Sequence, residues 1–347
     1  MRLYLLAMMT LFPLAAPGVG RAGAGDNPPP TELKAGIIGL DTSHAVAFTR
    51  LLNADKPKPE VAGVRVVAAY PGGSQDIPSS RDRVAGYTSE LRDKHKVAIV
   101  DSIDELLKRV DVVLLESVDG RPHLEQARPV FKANKPVFID KPVAGTLADA
   151  IAIYDLARET NTPCFSSSSL RFSPGIASLT HDPKLGEVVG CATFGPCELE
   201  PHHPDLFWYG VHGVETLYTI MGTGCETVAR THTEGTDLVV GVWKDGRIGT
   251  FRGNRKAPYK FGGTAFGTKG IAPVGDYAGY EPLVVEIVRF FRTGKAPVSA
   301  EETVEIFAFM EAADESKRQG GRPVTITSVV ESARQATRSA AAGAKKP

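Results

Sequence analysis

The sequence predicts an α/β protein, with a doubly wound parallel-sheet domain followed by an α/β domain built on a mainly antiparallel sheet. Three observations predict it. Between Lys34 and Ser169 short apolar runs alternate with amphipathic stretches, the rhythm of βαβ units with right-handed crossovers. After Ser169, strand-like runs follow one another without long helices between them, and Lys244-Asp245-Gly246 separates two of them as in a hairpin. The 347 residues, at about 150 per domain, suit two domains.

Each element has its own warrant. Ala35–Leu40 is an apolar run fit for a buried parallel strand. Ser43–Asn53 carries apolar residues at helical spacing, Val64–Tyr70 reads as a second strand and Val97–Val100 as a short third. Ile103–Val110 presents one apolar helix face, capped by Asp101 or Ser102. A fourth strand over Val110–Leu115, a helix over His123–Asn134 and a fifth strand over Pro136–Ile139 follow. Thr146 and Asp149 resemble a capping box for a helix to Thr160, and Pro163–Ser167 supplies a sixth strand. In the second half Gly186–Phe194, Thr227–Thr233, Asp237–Trp243, Ile248–Arg252 and Tyr259–Thr264 read as strands. Tyr280–Thr293 and Glu301–Arg318 read as closing helices, the latter boxed by Ser299 and Glu302 and stopped by Gly320-Gly321.

Composition excludes several functions. Forty Lys+Arg against 40 Asp+Glu rule out a globally basic nucleic-acid binder and an acidic disordered chain. No run approaches the roughly 18 apolar residues of a membrane-spanning helix. Arg2, the apolar Leu3–Ala16 and Ala22-Gly23-Ala24 have the form of a secretory signal peptide cleaved after Ala24. The expected organisation is a signal peptide over 1–24, a leader over 25–32, domains over 33–165 and 166–330, and a flexible tail over 331–347. Export to a periplasmic or extracellular space follows. Cys164, Cys191, Cys197 and Cys225 match no zinc spacing and read as packing residues, with Cys191–Cys197 a candidate disulfide.

In a doubly wound sheet the first strand-to-helix turn carries the dinucleotide fingerprint G-x-G-x-x-G. Here it reads Gly39-Leu40-Asp41-Thr42-Ser43-His44, with only the first glycine in place. A carboxylate at 41 obstructs and repels a pyrophosphate, while the helix N-terminus still offers amides and a favourable dipole. Asp41, Thr42 or Ser43 suits an N-cap, and the functional alternative is a modified cofactor or ligand loop. The second strand runs out in Tyr70-Pro71-Gly72-Gly73-Ser74, without the ribose-binding acid expected there. Ser74, Arg81 and Arg83 read as loop residues, with a 2′-phosphate contact as the alternative. Phe138-Ile139-Asp140-Lys141-Pro142 places a lysine at the ligand edge of the sheet, where desolvation lowers its pKa toward proton transfer.

Val110–Ala144, with His123 and Asp140-Lys141-Pro142, resembles the Gfo/Idh/MocA oxidoreductases. So do Leu170-Arg171-Phe172-Ser173-Pro174, Leu185-Gly186-Glu187-Val188, Gly210-Val211-His212-Gly213-Val214-Glu215 and the closing Glu301–Val324. The resemblance spans about residues 33–326. It implies a Rossmann domain, a second domain with a large open sheet often used for oligomerisation, and NAD(P)-dependent chemistry on a hydroxyl of a sugar or cyclitol. Lys141 and His212 become the acid/base pair. Gly39, Asp41, Thr42, Ser43, His44, His123, Asp140, Lys141, Pro142 and Arg171 become the residues for NAD or NADP.

Trp208 stands where the family often has an aspartate, four residues before the histidine. Its face suits stacking on a pyranose, and Trp208, Tyr209, His212 and Glu215 form the expected substrate contacts. The stretch Cys197–Tyr209 (CELEPHHPDLFWY) is rich in polar groups. Glu198, Glu200, His202, His203 and Asp205 could ligate a metal with His212, but the irregular spacing favours a solvated loop over the cleft. No metal centre is assigned. The leading expectation is an exported oxidoreductase binding a small sugar-like molecule, with a homo-oligomer formed through the second sheet. The rivals are a non-redox carbohydrate-binding protein on the same fold, and a hydrolase or lyase using residues 198–215.

Overall fold

A computed structural model describes residues 32–343. The expected signal peptide, and the leader as far as residue 31, lie outside the described residues. Strands β1 (Leu33–Ile38), β2 (Val64–Tyr70), β3 (Ala98–Ile99), β4 (Val112–Leu115), β5 (Val137–Ile139) and β6 (Cys164–Ser166) alternate with helices α1 (Ser43–Leu52), α2 (Pro78–Asp93), α3 (Ile103–Leu107), α4 (His123–Lys132) and α5 (Leu147–Glu159). The strands are all parallel, in the order β3-β2-β1-β4-β5-β6. The order reverses between β1 and β4, so ligands are expected beyond the C-terminal ends of those two strands. β1 is central because it can be: Ala35, Ile37 and Ile38 are wholly buried.

Helix α2 was not expected. Of its residues only Ser80 and Leu91 are buried, so no apolar stripe marks it in the sequence. Arg81 and Arg83 therefore stand on a helix and not in a loop. The caps fall as the sequence suggests. Ser102 accepts from the Glu105 amide, Thr146 from Asp149 and Ser299 from Glu302, and Thr42 is the cap of α1.

The second half contains α6 (Pro174–Ala177), β7 (Val188–Pro196), α7 (Asp205–Trp208), α8 (Val211–Met221), β8 (Cys225–Thr233), β9 (Thr236–Trp243), β10 (Ile248–Asn254), β11 (Gly262–Gly267) and β12 (Ile271–Val274). Helices α9 (Glu281–Thr293) and α10 (Ala300–Arg318), strand β13 (Val324–Thr325) and helix α11 (Ile326–Gly343) complete it. The seven-stranded sheet runs β12-β11-β7-β10-β9-β8-β13, antiparallel except for the β7–β10 pair. α8 and α10 pack on one face of it. On the other face Leu238, Val242, Ile248, Phe266 and Ile271 remain exposed.

Two parts of the chain depart from a linear two-domain plan. Leu283, Val284, Ile287, Val288 and Phe290 of α9 join the core formed by β1, β2 and α1. Phe290 stacks edge-on against Phe165, which meets Phe138. The expected tail is helical through Gly343, because α11 packs on α5, with Thr337 donating to the Ala148 carbonyl. Cys191 and Cys197 are free and buried. Six residues of extended chain separate them by about 20 Å, beyond the reach of a disulfide.

Candidate active site

β5 delivers Asp140 and Lys141 to the end of the first sheet, and α8 delivers His212 from the second half. Both Lys141 and His212 line one cleft of about 240 Å³ although 71 residues separate them. Thr42, Ser43 and His44, from the start of α1, and Arg83 from α2 line it too. Ser79, Val118, Ser169 and Leu170 add to it, and the rest of its wall is aromatic: Trp208, Tyr209, Tyr259, Phe261, Tyr277 and Tyr280.

Lys141 is 9% exposed, and its ammonium lies 5.4 Å from the centre of the Tyr209 ring and makes no hydrogen bond among the described residues. Burial pushes its pKa below the ordinary lysine value, partly offset by the charge of Asp140. His212 is pushed well below the ordinary imidazole value, first by burial and then by the charges of Lys141 and His44. Its Nδ1 meets Ser168 Oγ at 2.7 Å, which leaves Nε2 for the cleft. Ser168 is itself fixed: its amide donates to Glu215 Oε2 at 2.7 Å, and Ser167 Oγ donates to Glu215 Oε1 at 2.5 Å.

Several expected contacts belong behind the cleft. Glu215 is buried and spends its carboxylate on Ser167, Ser168 and Arg171, so it braces His212 and touches no substrate. Arg171 is buried between Glu215 and Glu302, at 2.8 and 2.7 Å, and holds no cofactor in this arrangement. The His123 ring is fully buried between the carbonyls of Ser117 and Val143, tying the loop after β4 to the loop after β5. Asp140 faces inward, accepting from the Lys141 amide and pairing with His44 Nδ1. Pro142 follows Lys141 in a cis peptide and does not line the cleft. Gly39 has φ +94°, and a Cβ there would lie 2.4 Å from the Ser117 amide nitrogen, so only glycine lets β1 end against that loop.

Asp41 is also spoken for. Its carboxylate accepts from Ser80 Oγ at 2.6 Å and from the Val118 amide at 3.1 Å, and burial raises its pKa against those bonds. Nearby, Glu116 is wholly buried with both oxygens unbonded. Burial, then the charges of Asp140 and Asp41, hold its pKa well above the ordinary carboxylate range. Glu116, His44 and Asp140 converge, whereas the acidic loop makes no metal cluster among the described residues. Asp205 pairs with Arg230 and Lys317, His203 with Asp119 and His202 with Glu200.

Reasoning from sequence placed Lys141, His212, Trp208, Tyr209 and Thr42–His44 at the cleft. It missed Tyr259, Phe261, Tyr277 and Tyr280, which stand alone in loops or next to strand and helix ends with no motif around them.

Residues 33–167 match the profile of Gfo/Idh/MocA, described as an oxidoreductase family with an NAD-binding Rossmann fold. The inositol 2-dehydrogenase of Salmonella typhimurium is 28% identical over 160 residues, 45% of this chain. The match spans 43% of that relative, less than half its length. The fold is shared with a scyllo-inositol dehydrogenase from Lactobacillus casei solved with NAD(H) and scyllo-inositol, at 14% identity and a TM-score of 0.71. That likeness covers 86% of this chain and all of the other. A probable dehydrogenase from Thermotoga maritima gives 20% identity and a TM-score of 0.68 over 86% of this chain and 100% of that one.

Proposed function

We infer, for a chain that belongs through residues 33–167 to the Gfo/Idh/MocA oxidoreductase family, an oxidoreductase acting on a hydroxyl of a sugar-like molecule. The observation that carries the reading is the pairing of Lys141 with His212 in one aromatic cleft. Oxidising an alcohol removes its hydroxyl proton as hydride leaves carbon, and reduction returns it. Burial lowers the pKa of both groups, Lys141 from the ordinary lysine value and His212 further below the ordinary imidazole value, and a neutral imidazole can accept that proton. His212 Nε2 exchanges it, and the Lys141 ammonium stabilises the developing alkoxide. Ser168 and Glu215 keep the imidazole aimed. Trp208 and the tyrosines offer flat faces to the C–H side of a ring.

NAD or NADP, when bound, supplies the hydride acceptor. Thr42, Ser43, His44 and Lys141 would hold its nicotinamide end, because they surround the cleft at the start of α1. The far side of β1 fits the rest of a dinucleotide poorly, since Asp41 and its partners occupy it. That observation favours one second reading, a carbohydrate-binding protein without redox activity. Hydride transfer from inositols and hexoses, read as reduced cofactor formed, decides between them. Turnover abolished by Lys141→Met supports the oxidoreductase. Sugar binding without turnover, in protein shown to hold cofactor, supports the binder.

Export is supported by Arg2, Leu3–Ala16 and Ala22-Gly23-Ala24, and an intact Met1 in the isolated protein would refute it. A homo-oligomer is supported by the open face of the second sheet. There Val242 lies opposite Ile248, and Phe266 opposite Ile271, all exposed. Sedimentation of wild type and Ile248→Asp tests it.

A further inference from the structure

The crevice beyond β1, on the side away from Lys141, is crossed by the protein's own side chains. A dinucleotide on a doubly wound sheet lays its pyrophosphate on the first turn and its adenosine beyond, against the end of the second strand. In this chain that route runs between the loop after β2 and the loop after β4. Ser74 Oγ, from the first loop, donates to Asp119 Oδ2 of the second at 2.5 Å. Arg121 reaches back to Asp76 with two bonds of 2.8 and 2.9 Å while also holding Asp119. Asp41 bridges Ser80 and the Val118 amide under these links. His203, from the second half of the chain, closes the top: its Nε2 lies 3.1 Å from Asp119 Oδ1 and 3.3 Å from the Gly120 amide nitrogen.

The backbone is committed as well. The Gly39 amide donates to the Tyr70 carbonyl at 2.9 Å and the Leu40 amide to Pro71 at 2.6 Å. The His44 amide turns back to Thr42 Oγ1. A Cβ on Gly72 would stand only 3.5 Å from Gly39 Cα, so the loop after β2 lies against the first turn. Asp41 and Asp119 are 0% and 1% exposed. Burial works against the charge of Asp119, but bonds from His203, Arg121 and Ser74 hold its carboxylate well below the usual range. A pyrophosphate on this path meets the buried carboxylate of Asp119 and the paired amides of Gly39, Leu40 and His44.

We propose that the adenylate half of the dinucleotide groove is closed by a latch of the chain's own residues, with Asp119 as its hub. The cleft at Lys141 then admits a sugar-sized ligand directly, while a dinucleotide binds only molecules in which Ser74, Arg121 and His203 have released. The proposal takes the direction of the dinucleotide from the family reading above, and it makes cofactor affinity a property of the latch. Apparent affinity falls in proportion to the open fraction.

The experiment is equilibrium binding of NADH and NADPH to the full chain, followed by fluorescence. Three proteins are compared: wild type, the mild pair Ser74→Ala with Arg121→Ala, and the pair Asp41→Gly with Asp119→Gly. The latch predicts weak binding by wild type and a gain of about tenfold or more in an opened variant, with inositol binding unchanged. Should the aspartate pair fail to fold, the mild pair and hydrogen exchange of wild type keep the test whole. Saturating NADH must lower protection over residues 72–76 and 118–121. Tight wild-type binding with those segments still protected overturns the latch, and so does the absence of any gain in a folded variant. A variant that gains NADH but transfers no hydride keeps the latch and refutes the oxidoreductase. Tight wild-type binding with turnover does the reverse.

Discussion

The two sides of β1 carry similar residue types and treat them in opposite ways. Toward β5, Lys141 and the outer nitrogen of His212 face a cavity with no protein partner. Toward β2, Asp41, Ser74, Ser80, Asp119 and Arg121 have their hydrogen bonds filled by one another. Buried polar groups are normally satisfied within the protein. The bonded side is therefore built as structure, and the unbonded side is where a ligand supplies the missing partners. Charge alone does not separate them; the hydrogen-bond account does.

The largest effect expected from this contrast is on chemistry. Lys141→Met and His212→Ala should each slow single-turnover hydride transfer by roughly 10²–10⁴-fold. Sugar affinity should change far less, since the aromatic wall remains. The pair Ser74→Ala with Arg121→Ala, on the bonded side, should leave the rate with bound cofactor nearly intact. Equal losses on both sides would erase the distinction.

Much of this contrast could be read from the sequence, for unequal reasons. The six parallel strands show as apolar runs because both faces of that sheet are covered. Lys141 and His212 are legible through their neighbours in the chain, a strand end before one and a glycine-flanked helix start at the other. The latch is not legible. Ser74, Asp119 and His203 are separated by 45 and 84 residues, and a hydrogen bond between distant loops leaves no periodic trace. Helix α2 escapes notice because it exposes almost every side. Glu215 and Arg171 were expected to touch ligands since motifs report position along the chain, while the direction of a side chain depends on packing.

The second expected effect is on stability at the open side. Glu215→Ala removes the partner of buried Arg171 and frees Ser168 from its bond. Breaking a buried pair from one side costs about 3–5 kcal/mol, and Glu302 retains its hold on Arg171, so a loss near 3 kcal/mol is expected. Urea unfolding measures it. An unchanged midpoint would mean that Glu215 does not brace the site.

Between pH 7 and 5 the two sides should also separate. His212 has a folded pKa below its unfolded value of about 6.5. As pH falls through that value the unfolded chain takes up a proton that the folded chain does not, so stability declines, by at most about 1.4 kcal/mol per pH unit. Asp119 is shifted in the same direction, to a folded pKa below its carboxylate reference, but in a lower pH range. Its contribution is complete above about pH 4 and is lost only below it. Urea unfolding of His212→Asn at pH 7, 6 and 5 should therefore show a flatter slope than wild type. Parallel slopes would remove His212 as a buried neutral group.

The smallest effect tests the bonded side as structure. Arg121→Ala deletes the bonds to Asp76 and one set of partners of Asp119. Asp76 is half exposed and rehydrates, so that pair counts as a surface ion pair and contributes little. Asp119 is buried, but it keeps Ser74 Oγ and His203, and a carboxylate with two partners left is not orphaned. Thermal or urea unfolding should then change by less than about 1 kcal/mol. That small cost is informative because it differs from the cost at Glu215, where the charge left behind, Arg171, sits 10% exposed between acids. A loss as large as that of Glu215→Ala would show that the loops after β2 and β4 are held by Arg121 itself and not by the hub at Asp119. The mild latch variant would then have to be built on Ser74 alone.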